Sequence, residues 1–223
     1  MAPTDWLVQN DENVGFARAV NAGVSSLGHD VDLVLVLNPD AWLLPNALAT
    51  LSTALRDDRR AAVAGPLVLD ASARPTVSAR RFPNWQIDLV EKFRLSHLFS
   101  EPRRRSMIQG PLIPQTGGPF AVDWLSGACL LIDVRAWHAI GPLSADFFLY
   151  GEDLDWCWRA SKAGYSRLYV PEARVQHVGG VSAASTMSTT TTHSLIRDGV
   201  RRACTRNMSR GSYLAWRATQ ALW

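Results

Sequence analysis

The sequence predicts an α/β protein: a mostly parallel sheet flanked by helices, with a helical tail at the C-terminus. Three observations carry this. The runs "VDLVLVLN" (31–38) and "AAVAGPLVLD" (61–70) are continuously apolar with β-branched residues, as strands covered on both faces are. A helical period precedes the first run and another separates the two, so helix and strand alternate. Residues 195–223 return to a helical period with arginines along one side.

Taken in order, "WLVQN" (6–10) reads as a short strand. In "VGFARAVNAGVSSLG" the apolar residues 16, 19, 20, 24 and 27 give a helix, with Asn13 suited to its start and Gly28 to its stop. Asn38–Pro39–Asp40 is a turn, and a helix follows from about Pro45. Residues 71–122 hold prolines at 75, 83, 102, 111, 114 and 119 and the run Arg103–Arg105; they read as a long loop with a helical piece near 85–99. "VDWLSGACLLIDVRAWHAIG" predicts a turn, a buried strand at 128–133 and a short helix. A helix is expected over 152–163, ended by Gly164, and "SRLYVP" and "ARVQHVGG" read as two further strands. The organisation expected is a core over 1–181, a Ser/Thr-rich linker over 182–194 and a basic amphipathic tail over 195–223.

Composition narrows the class. A hydrophobic fraction of 47% against 19% charged residues is that of a globular chain rather than a disordered one. The net charge of +3 is uneven: residues 195–223 carry +5 and the rest −2. No nucleic-acid partner is expected. Cys129, Cys157 and Cys204 are far apart and form no CxxC, so reduced, buried thiols are expected. The N-terminus lacks the basic and apolar regions of a signal peptide, and the apolar runs are too short to span a bilayer.

The densest signal is "FFLYGEDLDWCWRASKAGY" (147–165), where Glu152, Asp153 and Asp155 stand among Phe147, Phe148, Tyr150, Trp156 and Trp158. Ionised carboxylates in apolar surroundings are costly unless paired. Acids in the first turn of a helix meet free N–H groups and a favourable dipole, which explains them in part. A general base aimed into an aromatic pocket explains three together. Asp155 is expected to pair with Arg159 four residues on. Asp40 ends a strand at the carboxyl edge of the sheet, where ligands bind; it suits a divalent cation, or is merely part of a turn. His177 follows a strand and becomes a ligand candidate only beside Asp40. Glu152 and Asp153 are adjacent and cannot flank a glycosidic bond, which disfavours a hydrolase.

"NVGFARAVNAG", "LVLNPDAWLLP", "DWLSGACLLI", "FFLYGEDLDWCWRASKAGY" and "YVPEARVQHVGGVS", in this order, resemble the family-2 inverting glycosyltransferases of the GT-A (Rossmann-like) fold. They look most like bacterial rhamnosyltransferases that build cell-wall linkers and surface polysaccharides. The resemblance covers about residues 6–182 and implies a nucleotide-sugar donor, dTDP-rhamnose or a UDP-sugar, and a lipid-linked or glycan acceptor. It implies Mg²⁺ or Mn²⁺ held on the donor diphosphate by Asp40 in its Asn38-containing turn, with His177 at a second ligand position. It makes Asp153 the general base with Glu152 its neighbour. Asp123, Trp124, Gly127 and Tyr150 would shape the acceptor and sugar pocket, and Gly15, Arg18 and Asn21 would line the nucleotide. The location implied is cytoplasmic, peripheral on the inner face of the cell membrane.

The chain departs from that pattern in three places. Met1 stands just before what reads as the third strand; by the resemblance the strands expected to grip base and ribose would precede it, so the expectation is either a fragment or mis-called start, or a truncated protein. Ser144 stands where relatives carry an aspartate, and Gly151 where they carry a larger residue, which is expected to loosen the helix start. A truncated, non-catalytic binding module is therefore the alternative to an enzyme. In the tail, apolar residues 196, 200, 203, 204 and 208 oppose Arg197, Arg201, Arg202, Arg206 and Arg210, with Tyr213, Trp216 and Trp223 beyond. Two helices broken near Gly211 would suit an anionic lipid surface; the same stripe could instead pack on the core.

Overall fold

The apolar runs form the centre of a sheet. The computed structural model describes residues 7–28, 30–98, 116–178 and 189–221. The elements are α1 (Phe16–Ser25), β1 (Leu33–Leu37), β2 (Ala41–Leu43), α2 (Ala47–Asp57), β3 (Ala61–Leu69), β4 (Ala79–Arg80) and α3 (Trp85–Lys92). A 3₁₀ turn at Leu95–Leu98 follows α3. Then come β5 (Phe120–Ala121), β6 (Trp124–Leu125), β7 (Cys129–Asp133), α4 (Val134–Ile140), α5 (Glu152–Lys162), β8 (Ser166–His177), α6 (Thr189–Asn207) and α7 (Arg210–Gln220). Residues 7–10 are exposed and not in a strand, so "WLVQN" adds none there; Trp6 lies outside the described residues, as do the Arg103–Arg105 run and Trp223.

The strand order is β1-β7-β3-β8-β2, with β5 also paired to β8. Helices cover both faces, α1, α4 and α5 on one and α2 on the other. The sheet is mixed rather than mostly parallel: β3–β8 is parallel, whereas β1–β7, β3–β7, β2–β8 and β5–β8 are antiparallel. The strands β1, β3 and β8 do share one direction; β7 slots between β1 and β3 the other way. Burial on both faces erases the alternation that would have betrayed it. The two strands expected at 166–178 are one, β8. Its pairing with β3 jumps from Pro66↔Val170 to Leu67↔Arg174, so the bulge accommodates Pro171, which cannot donate to a ladder.

The tail is not a separate unit. α6 starts at Thr189, inside the stretch expected to be a linker; residues 182–188 lie outside the described residues. Ala203 and Cys204 are fully buried, and Val200 and Ala203 pack with Phe147 and Leu154. Arg197, Arg201, Arg202, Arg206 and Arg210 stay on the outside. Val200, Ala203 and Cys204 of the apolar stripe therefore face the protein, whereas Ile196 is 40% exposed. The break falls at Ser209, near Gly211 as expected; the Ser209 hydroxyl accepts the Ser212 N–H and caps α7. Asp88 of α3 accepts from Thr219 and Gln220 of α7. No described helix is long and apolar enough to cross a membrane. All three cysteines are free and buried, and burial pushes each thiol up to about 12.

Candidate active site

Two registers build one rim. Antiparallel pairing of β2 with β8 sets Ala41 opposite His177, and the Val178 N–H closes on the Asp40 carbonyl. That brings His177 Nε2 to 3.1 Å from Asp40 Oδ1. Pairing of β1 with β7 sets Leu37 opposite Cys129, and the Asn38 N–H donates to the Ala128 carbonyl. Asn38 Nδ2 lies 3.3 Å from His177 Nε2. The Asn38–Asp40 turn, the loop at Gly127 and the end of β8 are thus contiguous.

The start of α5 joins this rim through Gly127, whose N–H donates to Asp153 Oδ2 at 2.9 Å. The Leu154 N–H donates to Oδ1 at 2.7 Å. Burial raises the Asp153 carboxyl; these bonds and the charge of Arg80 oppose the rise. Glu152 is 4% exposed, and its Oε2 has no hydrogen-bond partner among the described residues. Burial, then the charge of Asp153, push Glu152 up to about 8. Two buried neighbouring carboxylates repel, so each favours the other's protonated form. Tyr150 stands between the two groups of acids: burial raises its phenol, and so do the charges of Glu152 and Asp40. Asp155 is 1% exposed and pairs with Arg159 at 3.0 Å, as expected at that spacing.

The implied cation can be tested against the donor set. Among the described residues no three His, Cys, Asp or Glu side chains form a cluster. Neighbouring ligands on one ion at about 2.1 Å stand about 3 Å apart, and Asp40 and His177 have that spacing. They fit two protein ligands, the remaining positions falling to substrate oxygens and water, as is usual for Mg²⁺ at phosphates. Cavities of about 300 and 330 Å³ elsewhere are lined by none of these residues.

A family model described as "Glycosyltransferase like family 2" matches residues 3–208. The chain belongs to that family. N-acetylglucosaminyl-diphospho-decaprenol L-rhamnosyltransferase of Mycobacterium tuberculosis is 30% identical over 188 residues, 78% of this chain and 59% of the relative. Rhamnosyltransferase WbbL of Escherichia coli K12 is 28% identical over 149 residues, 66% of this chain and 53% of the relative. The chain thus spans little more than half the length of these relatives. GalNAc-T7, crystallised with UDP, GalNAc and Mn²⁺, matches 75% of this chain and 31% of its own with a TM-score of 0.52 at 18% identity; the shared feature is the GT-A fold.

Within this family member the expected residues divide. Asn38, Asp40, Gly127, Tyr150, Glu152, Asp153 and His177 converge on the rim. Arg18 is exposed on α1 with no described partner. Asn21 uses both ends of its amide on the Leu143 backbone, so it clips that loop to α1. Gly15 packs its backbone against Phe148: a Cβ there would lie 2.5 Å from the Phe148 carbonyl oxygen. Asp123 accepts the Phe82 N–H, which ties the segment after β4 to the Trp124 loop. The aromatic pocket is smaller than expected. Phe147 and Trp156 are core, and Trp158 stacks on Phe82 at 4.5 Å. Arg80 was not singled out in the sequence. Its guanidinium lies over the Trp124 ring, 5.6 Å from the centroid; burial lowers its pKa and Asp153 raises it. The only sequence signal was "SARRFP", two arginines inside an irregular stretch.

The raised Glu152 carboxyl makes the stability of this chain pH-dependent. Its folded pKa lies above the ordinary glutamate value of 4.5, so the folded state binds the extra proton. Stability is fullest below that value and falls as pH climbs through about 8. The melting temperature of the unmodified chain should decline between pH 6 and pH 9, and that of Glu152→Gln should decline less. Parallel declines would show that another group titrates.

Proposed function

We propose that this chain is the catalytic and acceptor-side part of an inverting, metal-assisted sugar transferase. The sugar is rhamnose, carried on dTDP or a related nucleotide, and the acceptor is a lipid-linked or polysaccharide glycan of bacterial envelope synthesis. The observation that carries the reading is the junction of Asp153 with the Asp40–His177 pair through Gly127 and Asn38.

In the reaction the acceptor hydroxyl oxygen bonds to the anomeric carbon from the face opposite the leaving group. The bond from that carbon to the phosphate oxygen breaks, and configuration inverts. Asp153 takes the hydroxyl proton; the nucleoside diphosphate leaves with the electron pair. Glu152, protonated, keeps the pair from carrying a second charge. Arg80, beside Asp153, favours the ionised base. Trp124 offers an aromatic face to a sugar ring. A divalent ion held by Asp40 and His177 would neutralise charge on the departing diphosphate.

The test is transfer itself, with dTDP-rhamnose and an N-acetylglucosaminyl diphospholipid acceptor, the class named for the Mycobacterium relative. The expected products are the extended glycolipid, with the new linkage inverted by NMR, and free dTDP. Retention would overturn the mechanism. Acceptor binding without transfer from any nucleotide sugar would leave the alternative, a binding module, in its place.

A further inference from the structure

We infer that α6 is a working part of this site: it clamps the loop that carries the base, and Gly199 is the positioning residue of the clamp. The inference rests on the reading of Asp153 as base. A glycine inside a 19-residue helix is disfavoured relative to alanine by its backbone freedom, so Gly199 needs another reason. A Cβ at Gly199 would land on the carbonyl oxygen of Tyr150. A Cβ at Gly151 would lie 2.7 Å from the Gly199 carbonyl carbon. Two backbones touch here with no side chain between them.

The loop so held is strained. Tyr150 has φ 69° and Gly151 φ 96°, two left-handed residues in succession directly before Glu152 and Asp153. Such a conformation at a non-glycine residue persists only where the surroundings enforce it. α6 closes one side of the loop. The start of α1 closes the other, with the Phe16 N–H donating to the Phe148 carbonyl at 2.9 Å. Further along, Asn207 donates to Asp155 at 2.8 Å, Arg206 reaches Asp155 and Asp146, and Lys162 donates to Asn207 at 3.0 Å. The helix is therefore fastened to α5 on both sides of Asp153. Gly151 tightens the helix start, contrary to the expectation that it would loosen it. One methyl at Gly199 must push the Tyr150 peptide and, with it, the carboxylate held by Gly127. Misplacement by about 1 Å can cost about 10²-fold in rate.

Gly199→Ala is expected to lower kcat about 30- to 100-fold while KM for donor and acceptor changes less than about threefold. Gly211→Ala, where a Cβ meets open space, should leave kcat unchanged. Hydrogen exchange on the unmodified chain should show amides 148–155 and 197–204 opening as one unit; in Gly199→Ala the Gly127 and Leu154 amides should lose protection while 61–69 keep theirs. An unchanged kcat in Gly199→Ala overturns the clamp, as does independent opening of 197–204 in the unmodified chain. That second measurement decides alone if the variant fails to fold. Ordinary turnover in Asp153→Asn would remove the base reading instead, and the exchange coupling would still report on the clamp.

Discussion

Asp153→Asn should lower kcat by about 10²- to 10⁴-fold, the usual contribution of a positioned general base, with donor affinity nearly intact. The reason lies in what each oxygen does. Oδ1 and Oδ2 accept the Leu154 and Gly127 N–H groups, so the carboxylate is held in place, while burial is what makes it more basic. Asparagine keeps one acceptor oxygen, so one N–H loses its partner, a cost of about 1 kcal/mol. The fold should survive with a small drop in melting temperature, and the rate loss cannot then be unfolding. Loss of the base should appear in kcat and kcat/KM together and leave binding alone. Ordinary turnover in this variant would remove Asp153 from the chemistry and leave the acids at the start of α5 as helix-capping charges.

What the sequence made legible was local. Continuous apolar runs gave β1 and β3, and the 3.6-residue period gave α1, α2 and α5, because each signal is written within a dozen residues. The rim was legible for a second reason: Asp40 and His177 each directly follow a strand, so strand ends had only to be neighbours for the two to meet. The β2–β8 register supplies that. Strand direction was not legible, since β7 is as apolar as β1 and β3, against which it runs antiparallel, and is buried throughout. Nor was the continuity of β8, because Pro171 reads as a stop and the bulge against β3 is a tertiary fact.

The tail shows the same limit from the other side. The pattern of α6, apolar at 200, 203 and 204 and basic opposite, fits a lipid surface and a protein surface equally well. Hydropathy has no address. What decides is shape: Gly199 and Gly151 permit backbone contact, and Asp155 offers a buried acceptor to Asn207. Likewise the aromatics around the acids read as a sugar pocket, but Trp156 is 1% exposed and spends its indole N–H on the Gly141 carbonyl. Arg80 escaped notice because two-residue strands such as β4 leave no periodic trace.

Asp40→Ala should abolish the dependence of the rate on Mn²⁺ or Mg²⁺ and lower kcat/KM by about 10²- to 10⁴-fold, because a bound ion contributes several kcal/mol of charge stabilisation at a departing diphosphate. The carboxylate and the His177 nitrogen are 3.1 Å apart, so removing either leaves a single protein ligand. His177→Ala should be milder. Asp40 still offers its charge, and the loss should appear as about a 10- to 100-fold rise in the Mn²⁺ needed for half-maximal rate, the range seen when a supporting group is lost from a metal site. The two variants together should cost little more than Asp40→Ala alone, because both remove one shared function. Chelation with EDTA should silence the unmodified chain, and Mn²⁺ should restore it. Mn²⁺ titration in the presence of dTDP separates binding from turnover. If the unmodified chain and Asp40→Ala take up Mn²⁺ equally, the pair is a hydrogen-bonded turn and the ion, if the reaction uses one, sits elsewhere.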